Sequence, residues 1–309
     1  MRVVVKTNHL TREEWLKYRT HGIGGSDVSS IAGINPFKSA HQIWLEKTEQ
    51  IEPEQAESEY AYFGTLLEPI VRREFTARTG IKVRQKHMLL QSEKHPFMFA
   101  DLDGVINDGG EIVIFEAKTA SQYKLDIWKN GVPAEYILQV QHYMAVTGAK
   151  KTYVAALVGG NHFIYHEVKR DEILIAKIIA MEKYFWETYV IGGAEPIPDG
   201  TEATTNYFNC KFRESSGRTV ELPEEALVVC EEYEKVSQQL KQLETAKNAA
   251  ANQLKSYLKD AEVGRVGDYK ITWKQVYKNS LDQKRLKEEQ PDIYEGYIVQ
   301  NSYRRLSVA

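Results

Sequence analysis

"FADLDGVINDGGEIVIFEAKTA", residues 99–120, reads as two strands joined by a tight turn. Alternating apolar residues flank "NDGG", a sequence whose central residues take positive φ at low cost, so a two-residue loop at Gly109-Gly110 is the simplest assignment. That loop sets Asp108 against Glu111. Counting outward along an antiparallel ladder then pairs Ile106 with Val113, Asp103 with Glu116 and Asp101 with Lys118. Two acids therefore come to face one another. Opposed side chains on one face have Cβ atoms about 4.5–5.5 Å apart, and like charges that close destabilise a sheet unless a positive charge lies between them.

A divalent cation is a natural filler of that gap. Glu116 and Lys118 share a face because side chains alternate along a strand, while the Ala117 side chain points away and leaves its carbonyl as a further oxygen ligand. Mg²⁺ favours hard oxygens, takes few from protein and keeps several waters. The same residues would also make a solvated hairpin in which Asp101 pairs with Lys118 and the other acids face water.

Three further segments surround this hairpin in order: "WLKYRTHGIGGSDVSSIAGINPFKSAHQIWLEK" at 15–47, "FGTLLEPIVRREF" around Glu68 and "YILQVQHYMAVTG" around Gln139. Together with the hairpin they resemble the YqaJ-like viral recombinase family, which is similar to lambda exonuclease and has the PD-(D/E)XK nuclease fold. The resemblance spans roughly residues 12–195. It implies an α/β (α+β) chain with a restriction-endonuclease-like core, a central mixed sheet flanked by helices. It also implies catalytic roles for Glu68, Asp103, Glu116, Lys118 and Gln139. Asp103, Glu116 and the Ala117 carbonyl would hold Mg²⁺, with Mn²⁺ as the alternative, and Glu68 would stand near a second metal or the attacking water. Lys118 would orient that water. Arg19 and Ser26 match a pair that contacts a DNA terminal phosphate in relatives. Asp101 departs from the pattern, because lambda exonuclease carries a hydroxyl there. A carboxylate repels phosphate unless a cation intervenes, so the resemblance does not by itself imply a demand for a 5′-phosphorylated end.

Local patterning assigns each segment a frame. Around Glu68, a helix presents Phe63, Leu66, Leu67, Ile70, Val71 and Phe75 as one apolar stripe, with Glu68 at its margin and Glu74, beside Arg72 and Arg73, as surface charge. The Gln139 helix starts after Pro133 and ends at Gly148. Its Gln139 and Tyr143 are four apart and positioned to brace Lys118 together. "GIGGSD" leads into a helix with Ser26 or Asp27 as N-cap. The eight histidines show no metal-ligand spacing, and no glycine-rich phosphate loop with a Walker lysine occurs.

At 309 residues and 42% apolar, the chain supports a folded core. It carries no run of eighteen apolar residues and no signal-peptide layout at its start, which points to the cytoplasm of a bacterial host and no membrane partner. Two cysteines cannot supply the four ligands of an iron–sulfur cluster. A net charge of −3 suits DNA held in a local groove or on a ring's inner wall rather than gripped over a long path.

Three regions follow from composition: a nuclease core at 1–200, a linker and long coiled-coil-like helical arm at 201–262, and a small β-containing extension at 263–309. In the arm, Leu227, Cys230, Tyr233, Val236, Leu240, Leu243, Ala250, Leu254 and Tyr257 recur at three- and four-residue steps. A helix packed on its own domain gives the same pattern. The extension alternates like strands at 269–277 and again at its end, around a short helix near 281–289. With nine Lys/Arg and six Asp/Glu it is mildly basic, and Trp273, Tyr277, Arg304 and Arg305 could meet nucleic acid.

The resemblance implies a metal-dependent 5′→3′ exonuclease acting on double-stranded DNA ends in phage or prophage recombination. Its partner would be a RecT-like single-strand annealing protein, and the enzyme itself a homo-oligomer, with a trimeric ring as one form. An endonuclease or branched-DNA nuclease of the same fold is the alternative. A non-catalytic DNA-binding or assembly protein fits less well, because all four chemistry-bearing residues are intact.

Overall fold

The computed structural model describes residues 1–51, 59–299 and 302–308. These form two compact units, 1–210 and 211–309.

In the first unit the expected mixed sheet occurs as two four-stranded mixed sheets. β1 (Arg2–Lys6) is followed by α1 (Arg12–Thr20), β2 (Ile23–Gly24), α2 (Gly25–Ile31), α3 (Ala40–Lys47) and α4 (Glu59–Thr79). Next come β3 (Met88–Gln91), β4 (Met98–Asp101), β5 (Gly104–Asp108) and β6 (Glu111–Ala120). The first sheet runs β1-β3-β4-β2, with β2 parallel to β4. α5 (Leu125–Asn130) and α6 (Ala134–Thr147) cross over to β7 (Lys151–Val158), parallel to β6, and β8 (His162–Lys169) closes the second sheet. α7 (Glu172–Phe185) and α8 (Glu202–Lys211) follow.

The turn behaves as its residues require: Gly109 and Gly110 take φ of 60° and 93°, and Asp108 pairs with Glu111 and Ile106 with Val113. The ladder ends at Gly104↔Phe115. Asp101 therefore does not face Lys118. It sits in the other sheet, paired with Leu89, because the chain changes sheets at the buried Leu102. A side chain at position 104 would not fit there, since a Cβ would lie 2.5 Å from a Val83 methyl.

Helix ends follow local chemistry. Thr11 and Glu14 cap α1 reciprocally, as Ser39 and Gln42 do for α3. α6 starts after Pro133 and ends at Gly148, whose φ is 78°. α2 departs from expectation: its N-cap is Gly24, and Asp27 reaches back from the third helical position to accept the Gly24 N–H at 3.0 Å. β6 and β7 are covered on both faces, so Ile114, Phe115, Val154, Ala155 and Ala156 are wholly buried. On α4 only Val71 and Phe75 are fully buried. Phe63, Leu66 and Ile70 are 46%, 54% and 42% exposed, so the apolar stripe is narrower than its sequence suggests.

The second unit holds α9 (Glu225–Leu258), the hairpin of β9 (Val263–Val266) and β10 (Tyr269–Thr272), and the short helices α10 (Gln283–Glu289) and α11 (Pro291–Tyr297). Residues 302–308 form no strand, in contrast to the alternation read at the chain's end, where Gln300, Asn301 and Ala309 lie outside the described residues. No helix of the described residues is long and apolar enough to cross a membrane.

Candidate active site

A cleft of about 350 Å³ opens in the first unit where α1, α2, α4, α6 and the ends of β4 and β6 converge. Arg19, Ser26, Glu68, Asp103, Glu116, Ala117, Lys118 and Gln139 all line it, whereas Trp273, Tyr277, Arg304 and Arg305 do not.

Glu116 is its centre. The β6 backbone carries this carboxylate into a buried position, where Oε1 accepts from Lys118 Nζ at 2.6 Å and from Gln139 Nε2 at 2.7 Å. Its other oxygen, Oε2, is buried without a hydrogen-bond partner. Burial pushes the Glu116 carboxyl up to about 8; the neighbouring Asp103 charge adds to that and Lys118 opposes it. Asp103 caps the strand from outside the ladder, its Oδ2 accepting the Ala117 N–H at 2.8 Å, and burial raises its pKa as well despite Lys118 and that N–H. For Lys118, burial acts downward, but Glu116 and Asp103 outweigh it and keep the amine charged.

Gln139 and Tyr143 brace a different atom from the one expected. Gln139 Nε2 spans Glu116 Oε1 and the Tyr143 hydroxyl, at 2.7 and 3.0 Å, so the pair holds the carboxylate and reaches Lys118 only through it. The brace leans on Gly25 of α2, where a Cβ would meet the Tyr143 ring at 2.5 Å.

Glu68 stands to one side. Burial raises its carboxyl to about 7, Asp103 adds to the rise, and Arg72 partly offsets it. Pro69, which lacks an N–H, follows Glu68 and removes the helical bond to the Thr65 carbonyl at this point of α4. Arg72, to which the sequence reading gave no role, belongs to the cleft: Nη1 donates to Glu68 Oε1 and to the Asp103 carbonyl, both at 3.1 Å. Its spacing of four from Glu68 was the available signal. Glu74 does pair at the surface, with Arg78 at 2.7 Å.

At the other end of the cleft, Arg19 Nη2 donates to Ser26 Oγ at 2.8 Å and to Asp27 Oδ1 at 2.9 Å. Asp27 also accepts from buried Lys47 at 2.7 Å. Burial alone would raise the Asp27 carboxyl, but Lys47 and Arg19 hold it far below the usual carboxylate range. The Trp15 ring has the Arg12 and Arg19 guanidinium carbons 4.9 and 5.0 Å from its centroid, and its Nε1 donates to Asp101 Oδ2 at 2.9 Å. Neither Trp15 nor Lys47 stands out in the sequence, since the partners lie 86 and 20 residues away.

The donor set suits a hard cation with an open coordination sphere. Among the described residues no three His, Cys, Asp or Glu side chains stand close enough together to hold a metal ion by themselves. What the cleft offers is Asp103, the unpartnered oxygen of Glu116 and a strand carbonyl, which leaves positions for water and substrate.

Residues 14–150 match the sequence profile of the YqaJ-like viral recombinase domain. Uncharacterized protein YqaJ of Bacillus subtilis (strain 168) is 39% identical over 310 residues, spanning 99% of this chain and 97% of its own. The chain belongs to the YqaJ-like viral recombinase family. Uncharacterized protein R354 of Acanthamoeba polyphaga mimivirus is 25% identical over 235 residues, 72% of this chain and 37% of that larger protein. Among solved structures, the alkaline exonuclease LHK-Exo from Laribacter hongkongensis, in complex with dAMP, aligns with a TM-score of 0.49 at 23% identity. That alignment covers 57% of this chain and 91% of LHK-Exo. The profile match of this family takes in Arg19, Ser26, Glu68, Asp103, Glu116, Lys118 and Gln139.

Proposed function

We propose that the chain is a divalent-metal-dependent exonuclease acting 5′→3′ on the ends of double-stranded DNA in phage or prophage recombination in a bacterial cytoplasm. The single-stranded tails it leaves would be taken up by a RecT-like annealing protein. The observation that carries this reading is Glu116, a buried carboxylate with one unpartnered oxygen, set beside a second acid and a lysine in an open cleft.

Asp103, Glu116 and the Ala117 carbonyl would hold Mg²⁺, with Mn²⁺ as the alternative and Glu68 beside a second position. The cation, when bound, supplies Lewis-acid polarisation of the scissile phosphate and lowers the pKa of water. The protein groups divide the remaining work. Lys118, fixed by Glu116, orients water and offsets charge as the phosphodiester is attacked. Glu68, raised to about 7, accepts a proton near neutral pH, and Arg72 holds it in place. Gln139 and Tyr143 keep the Glu116 carboxylate from rotating. Arg19 and Ser26 would receive the terminal phosphate. A near-neutral subunit is compatible with a homo-oligomer such as a trimeric ring.

The test is degradation of end-labelled linear duplex with Mg²⁺ by the wild type and by E116A and K118A. Both variants are expected to lose activity, and closed circular duplex should survive the wild type. Undiminished degradation by either variant would remove the site assignment, and cutting of the circle would make the enzyme an endonuclease.

A further inference from the structure

The 34-residue helix α9, about 51 Å long, carries a heptad seam that no described residue of the second unit covers. Val229, Val236, Leu243, Ala250 and Tyr257 recur every seven residues. Tyr233, Leu240, Lys247 and Leu254 interleave with them, so steps of four and three alternate without a break. All nine side chains are exposed. The seam is therefore that of a coiled coil with its partner missing, rather than the core face of a packed helix.

We infer that this seam pairs with the same seam of a second copy of the chain, antiparallel and centred between Leu240 and Leu243. Parallel pairing would set each residue against itself, placing Lys247 beside Lys247 and leaving a void at Ala250. Antiparallel pairing about that centre instead matches large with small. Tyr233 meets Ala250 of the second copy and Tyr257 meets Ala226, while Leu240 meets Leu243 and Val229 meets Leu254. Val236 meets the aliphatic stem of Lys247, whose amine emerges on the flank toward Glu232, one turn before Val236. Sliding by one heptad would oppose Tyr233 to Tyr257 and uncover a layer at each end. The flanking positions bring no like charges together, being Ser237 against Glu244 on one side and Glu232 against Gln253, with Gln239 against Ala246, on the other. Volume, charge and exposure thus select one occupant and one direction.

Solution mass of the full chain tests the pairing, by sedimentation with circular dichroism as a check on helix content. L240E/L243E should lower the particle mass, halving it when the seam alone joins the two copies. In a background with Cys210 and Cys230 replaced by Ser, A226C/Y257C should oxidise to a covalent dimer, whereas Y257C alone should not, because antiparallel pairing puts the two Tyr257 positions at opposite ends. Unchanged mass in L240E/L243E, no cross-link in A226C/Y257C, or ready cross-linking of Y257C alone would each overturn the inference. None of these readouts depends on nuclease activity.

Discussion

Replacing Gly25 with Ala should damage catalysis through a residue with no chemistry of its own. The added methyl would lie 2.5 Å from Tyr143 Cε1 and 3.0 Å from Gln139 Cγ, whereas ordinary contact begins at 3.4 Å. Tyr143 is buried against α2, so the ring must yield by about 1 Å or the helix must move. Either motion pulls on the 3.0 Å bond to Gln139 and through it on the 2.7 Å bond to Glu116. Overpacking of this kind costs about 1–3 kcal/mol of stability. The gain from putting Ala in place of Gly in a helix, at most about 1 kcal/mol and less at a first turn, does not cancel it. A 1 Å displacement of a catalytic group costs on the order of 10²-fold in rate. Degradation of linear duplex should accordingly fall about 100-fold in G25A while the melting temperature drops only a few degrees. Y143F, which removes one hydrogen bond worth about 1 kcal/mol and adds no bulk, should lose far less activity. If G25A degrades duplex within about twofold of the wild-type rate, Gln139 and Tyr143 do not position Glu116.

Three other outcomes follow from the same geometry. Glu116 and Glu68 have pKa values raised by folding to about 8 and about 7 from an ordinary 4.5, so the metal-free protein should lose stability as pH rises through that interval; Mg²⁺ should raise the melting temperature more at pH 8 than at pH 6, an asymmetry absent from E116Q. R72M removes the charge that lowers the Glu68 pKa, so the rising limb of its pH–rate profile should move to higher pH, and an unmoved limb would take Glu68 out of the proton transfer. D101N keeps an acceptor for Trp15 while removing a negative charge from the cleft, and should increase the rate on 5′-phosphorylated ends relative to 5′-hydroxyl ends in a competition assay.

The hairpin was legible because its turn fixes its register: Asp108 to Glu111 and Ile106 to Val113 follow from two glycines and a period of two. The same count failed at Asp103, which lies beyond the end of the ladder instead of opposite Glu116, and at Asp101. Counting assumes one continuous ladder, and the passage of the chain between sheets at Leu102 is decided by packing that local pattern does not encode. Gln139 and Tyr143 were recognisable as neighbours from their spacing on a helix, but which atom they would hold depends on how α6 lies against β6. Arg72 went unassigned because a helix margin has the same pattern whether it faces water or an acid cluster. Lys47 and Trp15 were invisible for a simpler reason: the carboxylates they hold, Asp27 and Asp101, are 20 and 86 residues away, and such a buried ion pair or indole contact leaves no periodic trace.

The break at Leu102 sets the cleft across two sheets of one compact unit. Asp101, with Trp15 bonded to it and Arg19 beside that ring, belongs to the first sheet; Asp103, Glu116 and Lys118 belong to the second. Leu102 and Asp103 carry the chain from one to the other, and a shared apolar core that includes Leu90, Met98, Ile114 and Val154 holds both. The spacing between Arg19 and Glu116 is therefore set by how the two sheets pack on that core. On the proposed function, substitutions there would shift where along a strand the cut falls without touching any residue placed against DNA.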